Sequence, residues 1–150
     1  MPDMPRITLE TAPEPAEEQV ILDGLRAFNV RVIGDPKIQP VDVFVRDERG
    51  RVIGGLVGQI KWRWLYVSKL WLPDSLRGTG TGTKLMRMAE DYAWSKDCLG
   101  VHLDTFEYQA LPFYLKLGYE LFGTLEGFPP GYRQYYLKKS RPAGRPEVPR

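Results

Sequence analysis

Ser75-Leu76-Arg77-Gly78-Thr79-Gly80-Thr81-Gly82-Thr83-Lys84 places an arginine and three alternating glycines between a strand-like run and a helix-like run. Glycines this dense tolerate positive φ and leave main-chain N–H groups uncovered, so a loop of this kind entering a helix N-terminus can wrap a phosphate. An anionic ligand, a nucleotide or a pyrophosphate, is the first expectation. Upstream, Trp62-Arg63-Trp64-Leu65-Tyr66-Val67-Ser68-Lys69-Leu70-Trp71-Leu72 is an aromatic-rich strand that Pro73 ends. Downstream, Leu85, Met86, Ala89, Tyr92 and Ala93 recur at helical spacing from Thr83 to about Lys96. Gly100-Val101-His102-Leu103-Asp104-Thr105 is the next strand, so the unit is β-α-β and its two strands are parallel neighbours.

Around this unit the chain adds antiparallel pieces. Arg6-Ile7-Thr8-Leu9 alternates like a short strand, and Thr11-x-x-Glu14 has the spacing of a capping box ahead of a helix carrying Ile21, Leu22, Leu25 and Phe28, with Asn29 near its end. Residues 30–40 form a connecting loop. Val41-Asp42-Val43-Phe44-Val45-Arg46-Asp47 and residues 51–60 make a hairpin around Asp47-Glu48-Arg49-Gly50, and Gly54-Gly55 inside the second strand predicts a bulge or another backbone close by. Residues 110–118 read as a short helix with Pro112 in its first turn and Gly118 as its stop. Residues 119–122 and 134–137 are closing strands. The fold class is α/β: a mixed, mostly antiparallel twisted sheet flanked by helices.

Length and charge narrow the function. A chain of 150 residues buries roughly two-thirds of its unfolded surface and needs no metal or disulfide to fold. Residues 1–139 are expected to form one domain, and residues 140–150 a basic, proline-containing tail without order. Of the net charge of +2, residues 138–150 hold +4, which leaves −2 for the rest. The body thus lacks the basic footprint of a nucleic-acid binder. Cys98 is the only cysteine, no secretory signal is visible and no window approaches eighteen apolar residues. A cytoplasmic protein without membrane or nucleic-acid partners is expected, with a homodimer left open.

Spacing separates the phosphate loops. A P-loop needs glycine directly before lysine and Ser or Thr after it, whereas Lys84 lies between Thr83 and Leu85. A dinucleotide fingerprint needs a third glycine where Thr83 stands, in a turn that follows the strand at once, and here residues 73–77 intervene. Arg77-x-x-Gly80-x-Gly82 is the remaining pattern. Some 30 residues on comes Ala110-x-x-Phe113-Tyr114-x-Lys116-x-Gly118-Tyr119. On these two ordered motifs the sequence resembles the GNAT superfamily of acetyl-CoA-dependent N-acetyltransferases, over nearly the whole folded chain. It departs from the family pattern where Glu107 stands in place of an asparagine three residues before the alanine.

The resemblance implies acetyl transfer from acetyl-CoA to a primary amine of a small molecule or peptide, directly in a ternary complex and without a metal. It places the pyrophosphate on Arg77, Gly78, Thr79, Gly80, Thr81, Gly82 and Thr83, and the pantetheine along the backbone of Leu70, Trp71 and Leu72. It gives Tyr114 the role of protonating the departing thiolate and sets the Glu107 carboxylate beside the reacting centre. Glu107 and Asp104 are candidates for the general base, with an ordered water as the equal alternative, His102 reads as a buried strand residue, and Trp62, Trp64 and Trp71 are candidates for a wall around a cationic amine. Two rival readings are a non-catalytic CoA-binding module and a dinucleotide-dependent oxidoreductase.

Overall fold

The computed structural model describes residues 3–143, and the chain divides into two compact units, Met1–Pro36 and Lys37–Arg150. In the first unit, α1 (Pro15–Ile33) opens with a reciprocal cap: the Glu14 side chain takes the N3 amide and the Glu17 carboxylate takes the Glu14 amide. The box expected at Thr11 and Glu14 is thus moved on by three residues. Proline biases its predecessor toward extended backbone, and Glu14 lies at φ −73°, ψ 140°, so the helix starts at Pro15. It also runs past Asn29 to Gly34, whose N–H bonds the Val30 carbonyl at 2.9 Å, which makes the first residues of the expected loop helical. Residues 6–9 form no strand, because alternation makes a strand only where another backbone pairs with it, and none among the described residues does.

The second unit is a six-stranded sheet in the order β1-β2-β3-β4-β6-β5, made of β1 (Gln39–Arg46), β2 (Val52–Lys61), β3 (Trp64–Trp71), β4 (Gly100–Phe106), β5 (Glu120–Glu126) and β6 (Arg133–Ser140). Every pairing is antiparallel except β3 with β4, as the β-α-β reading requires. The β1–β2 turn forms because the Asp47 carboxylate accepts the Arg49 and Arg51 N–H groups at 2.9 Å, which also holds its pKa below the usual value. Gly54 and Gly55 are where neighbouring backbones come close: a Cβ on Gly55 would meet the Val43 carbonyl at 2.5 Å, and one on Gly54 the Trp71 carbonyl at 3.0 Å. The β2–β3 turn falls on Trp62 and Arg63, both at positive φ, although neither residue type announces a two-residue turn. The first residues of the expected third strand therefore belong to the turn.

Helix α2 (Thr81–Ser95) lies against one face of this sheet and buries Leu85, Met86, Ala89, Ala93 and Trp94 in a core with Leu56, Leu65, Val67, Val101, Leu103 and Leu137. A fully buried side chain of this size contributes about 2 kcal/mol. The same helix carries Glu90, 2% exposed, which accepts the Tyr119 hydroxyl at 2.7 Å and the Lys139 ammonium at 3.1 Å. Burial, then the Glu90 charge, pushes the Tyr119 pKa far up. The short helix α3 (Leu111–Lys116) returns the chain to this core through Tyr114. Strand β6 continues to Ser140, and Arg141 bonds the carbonyls of Leu99 and Trp94 at 2.8 Å, so the expected tail begins inside the fold; residues 144–150 lie outside the described residues.

Candidate active site

The β3–β4 pairing runs from Trp64 opposite Gly100 to Val67 opposite Leu103 and stops there, although both strands continue. On the other side of β3, Gly58 pairs with Val67 and Val57 with Lys69, so Ser68 is an extra residue, a bulge whose hydroxyl donates to the Val57 carbonyl at 3.2 Å. A bulge bends its strand and increases the local twist. Here it lies one residue beyond the last β3–β4 pair, and the two strands part. The main chain of residues 68–71 is left with an edge unpaired toward β4, and that of residues 104–106 with an edge unpaired toward β3.

Beyond the end of β3, Pro73 caps a 3-10 turn, Asp74–Leu76, and α2 begins. Gly80 is its N-cap at φ +85°, a left-handed conformation that suits glycine, and Gly82 and Thr83 already belong to the first helical turn. The first helical bond runs from the Lys84 N–H to the Gly80 carbonyl at 3.1 Å. Among the described residues, the N–H groups of residues 78–83 take no main-chain partner. Space over Gly78 and Gly80 is open, while a Cβ on Gly82 would meet the Phe113 ring at 3.3 Å. These amides at the positive end of a helix fit a pyrophosphate. Arg77 is turned back, its Nε on the Leu72 carbonyl at 3.3 Å and its Nη1 on Asp74 at 3.2 Å, so it braces the loop.

Phe113 links the glycine turn to Tyr114, since it touches the place of a Gly82 side chain and packs edge-on against Tyr114 with centroids 5.0 Å apart. Tyr114 is 6% exposed, and its hydroxyl takes no partner among the described residues. Burial first, and then the Asp104 charge, raises its pKa to about 12. It is a neutral phenol with a proton to give.

The residues 8–119 match the family model described as Acetyltransferase (GNAT) family. The chain belongs to the GNAT acetyltransferases. It is 37% identical over 105 residues to the blasticidin-S acetyltransferase of Streptomyces morookaense, which covers 67% of this chain and 77% of that protein. The crystal structure of an acetyltransferase from Bacillus cereus superposes with a TM-score of 0.81 at 28% identity, covering 89% of this chain and 98% of the other. A Bacillus anthracis crystal structure in complex with acetyl coenzyme A shares the fold at a TM-score of 0.60 and 20% identity, covering 69% and 63% of the two chains. The mixed sheet of this GNAT domain also differs from the doubly wound parallel sheet of a dinucleotide fold.

On the sheet face opposite α2, the GNAT chain carries a polar network at the point where the strands part. Asp104 accepts the Tyr66 hydroxyl on Oδ1 at 2.6 Å and the Gln134 amide on Oδ2 at 2.9 Å, and Tyr136 donates to Gln134 at 2.8 Å. The Asp104 bond, together with burial, raises the Tyr66 pKa to about 12. His102 stacks on Tyr66 with centroids 4.9 Å apart, and burial lowers its pKa against an opposing pull from Asp104.

The other expected site residues have partners of their own. Glu107 caps the far end of β4, with its N–H on the Arg133 carbonyl at 2.8 Å and its carboxylate facing the Arg133 guanidinium at 3.4 Å and the Tyr135 hydroxyl at 3.3 Å. The tryptophans do not form one wall. Trp62 lies in the β2–β3 turn under the Lys61 ammonium, Trp64 stands edge-on to His102, and Trp71 is exposed in a shallow groove with Phe44, Val57 and Lys69. Tyr66, Gln134 and Tyr136 escaped the sequence reading because they meet Asp104 only through strand pairings 30 or more residues apart. Among the described residues, no group of three or more His, Cys, Asp or Glu side chains could hold a metal ion, and no helix is long and apolar enough to cross a membrane.

Proposed function

We propose that this GNAT protein transfers an acetyl group from acetyl-CoA to a primary amine of a small molecule or peptide, in a ternary complex. The observation that carries this reading is the opening between β3 and β4, bordered by the unpaired edge of residues 68–71, with the free N–H row of residues 78–83 at one end. That row would hold the pyrophosphate, and the backbone of Leu70, Trp71 and Leu72 would run beside the pantetheine with one N–H polarising the thioester carbonyl. Amine nitrogen bonds to the carbonyl carbon, the C–S bond breaks, the nitrogen sheds a proton to solvent, and the thiolate takes one from the Tyr114 hydroxyl. Its raised pKa supports this role, because the proton is present at every physiological pH. A small-molecule acceptor is supported by the Streptomyces relative, which is named for blasticidin S. The Arg133 and Tyr135 contacts of Glu107 support a role in holding the end of β4, so Glu107 is left out of the chemical step.

The test pairs ligand binding with product detection. Acetyl-CoA and CoA are expected to raise the melting temperature and NAD(P)H to leave it unchanged, and mass spectrometry of a primary-amine panel should find products heavier by one acetyl group. Stabilisation without any acetylated amine would favour the non-catalytic CoA-binding reading. Absence of any shift with acetyl-CoA would sink both.

A further inference from the structure

The Asp104 carboxylate is half-buried, and its two bonds use one oxygen each, although a carboxylate offers about four acceptor sites. Among the described residues no cation pairs with it: on the same sheet face, the Lys138 ammonium lies over the Phe122 ring, 5.8 Å from its centroid, and Lys69 is exposed. A half-buried charge without a counter-ion is costly unless a partner arrives. Tyr66 and Gln134 fix its direction, and the half-buried ring of Tyr136, its partner residue on β6, brings a π face that attracts a cation to the same side of the sheet. This network stands at the first residue of β4 beyond the last β3–β4 pair, beside the opening assigned to the acetyl donor.

We propose that Asp104, oriented by Tyr66 and Gln134, is the anchor for a second cationic group on the acceptor, so that the enzyme selects amines carrying a guanidinium or ammonium besides the nitrogen it acetylates. The charge is a second one because a carboxylate paired with the reacting ammonium would hold its proton in place and keep the lone pair from the thioester. Asp104 also acts on Tyr114 through space, which puts anchor and acid within electrostatic reach of each other. The inference rests on the amine-acetylation reading above and names its substrate class.

Agmatine and its neutral counterpart, N-(4-aminobutyl)urea, differ at the distal group by one charge and present the same primary amine. Wild-type enzyme is expected to show kcat/KM at least about tenfold higher for agmatine, the size of one charge-assisted contact. Asp104→Asn keeps the shape: its amide oxygen accepts from Gln134, and the Tyr66 hydroxyl can turn to accept from the new NH2; the variant should collapse that ratio toward one, lowering kcat/KM for agmatine about tenfold more than for the urea. Should the variant fail to fold, wild-type enzyme decides: methylguanidinium should compete with the amine at concentrations where methylurea does not. A wild-type ratio near one, a ratio that survives in Asp104→Asn, or equal competition by the two small compounds overturns the proposal. If other primary amines are acetylated but neither of this pair is, the anchor is wrong and amine acetylation stands; if no amine is acetylated, the reading beneath it fails.

Discussion

The acid role proposed for Tyr114, together with its burial, has two consequences that can be measured. Tyr114→Phe keeps the ring packed between Phe113 and Tyr119 while removing the proton, so turnover is expected to fall roughly a hundredfold with KM for acetyl-CoA little changed. Unchanged turnover over a range of amines would remove Tyr114 from the acid role. A phenol with a pKa of about 12 stays protonated through pH 10, so turnover should show no alkaline fall from loss of this proton between pH 8 and 10. A decline with a midpoint near pH 9 that disappears in Tyr114→Phe would contradict the assignment. Gly80 is the other decisive residue. A glutamate there would meet φ +85° and bring negative charge to the N–H row, so Gly80→Glu should abolish acetyl-CoA binding, as calorimetry can read.

Among the elements, α2 does two jobs, since its first turn presents the amides and its middle ties the sheet together. The tie is Glu90, which holds Tyr119 and Lys139 from separate parts of the chain. Glu90→Ala leaves a half-buried ammonium and a buried hydroxyl without their acceptor and should cost about 3 kcal/mol by urea denaturation. A loss below about 1 kcal/mol would show that solvent reaches these groups. The helix register was legible in the sequence because Leu85, Met86, Ala89 and Ala93 recur at its period, and all four are buried. The strand on its N-terminal side was legible only in outline. Ser68, the residue that opens β3 from β4, has nothing in its own chemistry that marks a bulge; the register of β2 on one side and β4 on the other creates it.

At the scale of the whole molecule, ligand binding and pH read out the fold. A ligand that binds only the native state stabilises it by about 2.7 kcal/mol at 100 times its dissociation constant, which sets the size of the acetyl-CoA response in the thermal assay. His102 gives the acid side of the stability curve a definite sign. Its folded pKa is lowered by burial, so the unfolded chain binds the proton more tightly, and stability is lost as the pH falls from about 6.5 through the folded value. The melting temperature should therefore decline between pH 7 and pH 5, and less steeply in His102→Asn. An equal slope in the variant would place the acid sensitivity elsewhere.

Alternation, helical period and the glycine spacing are local properties, and they determined the β-α-β unit, the first hairpin and the glycine turn, while two ordered motifs carried the resemblance to the family. Each depends on residues within a few positions of one another, where backbone preference and side-chain type act directly. Tertiary structure decided what long-range pairing alone can create. It opened the strands at Ser68, returned Arg77 to brace its own loop, and set Glu107 against Arg133. It also brought Asp104 together with Tyr66 and Gln134, residues 38 and 30 positions away whose side chains share a face only once β3, β4 and β6 lie in register.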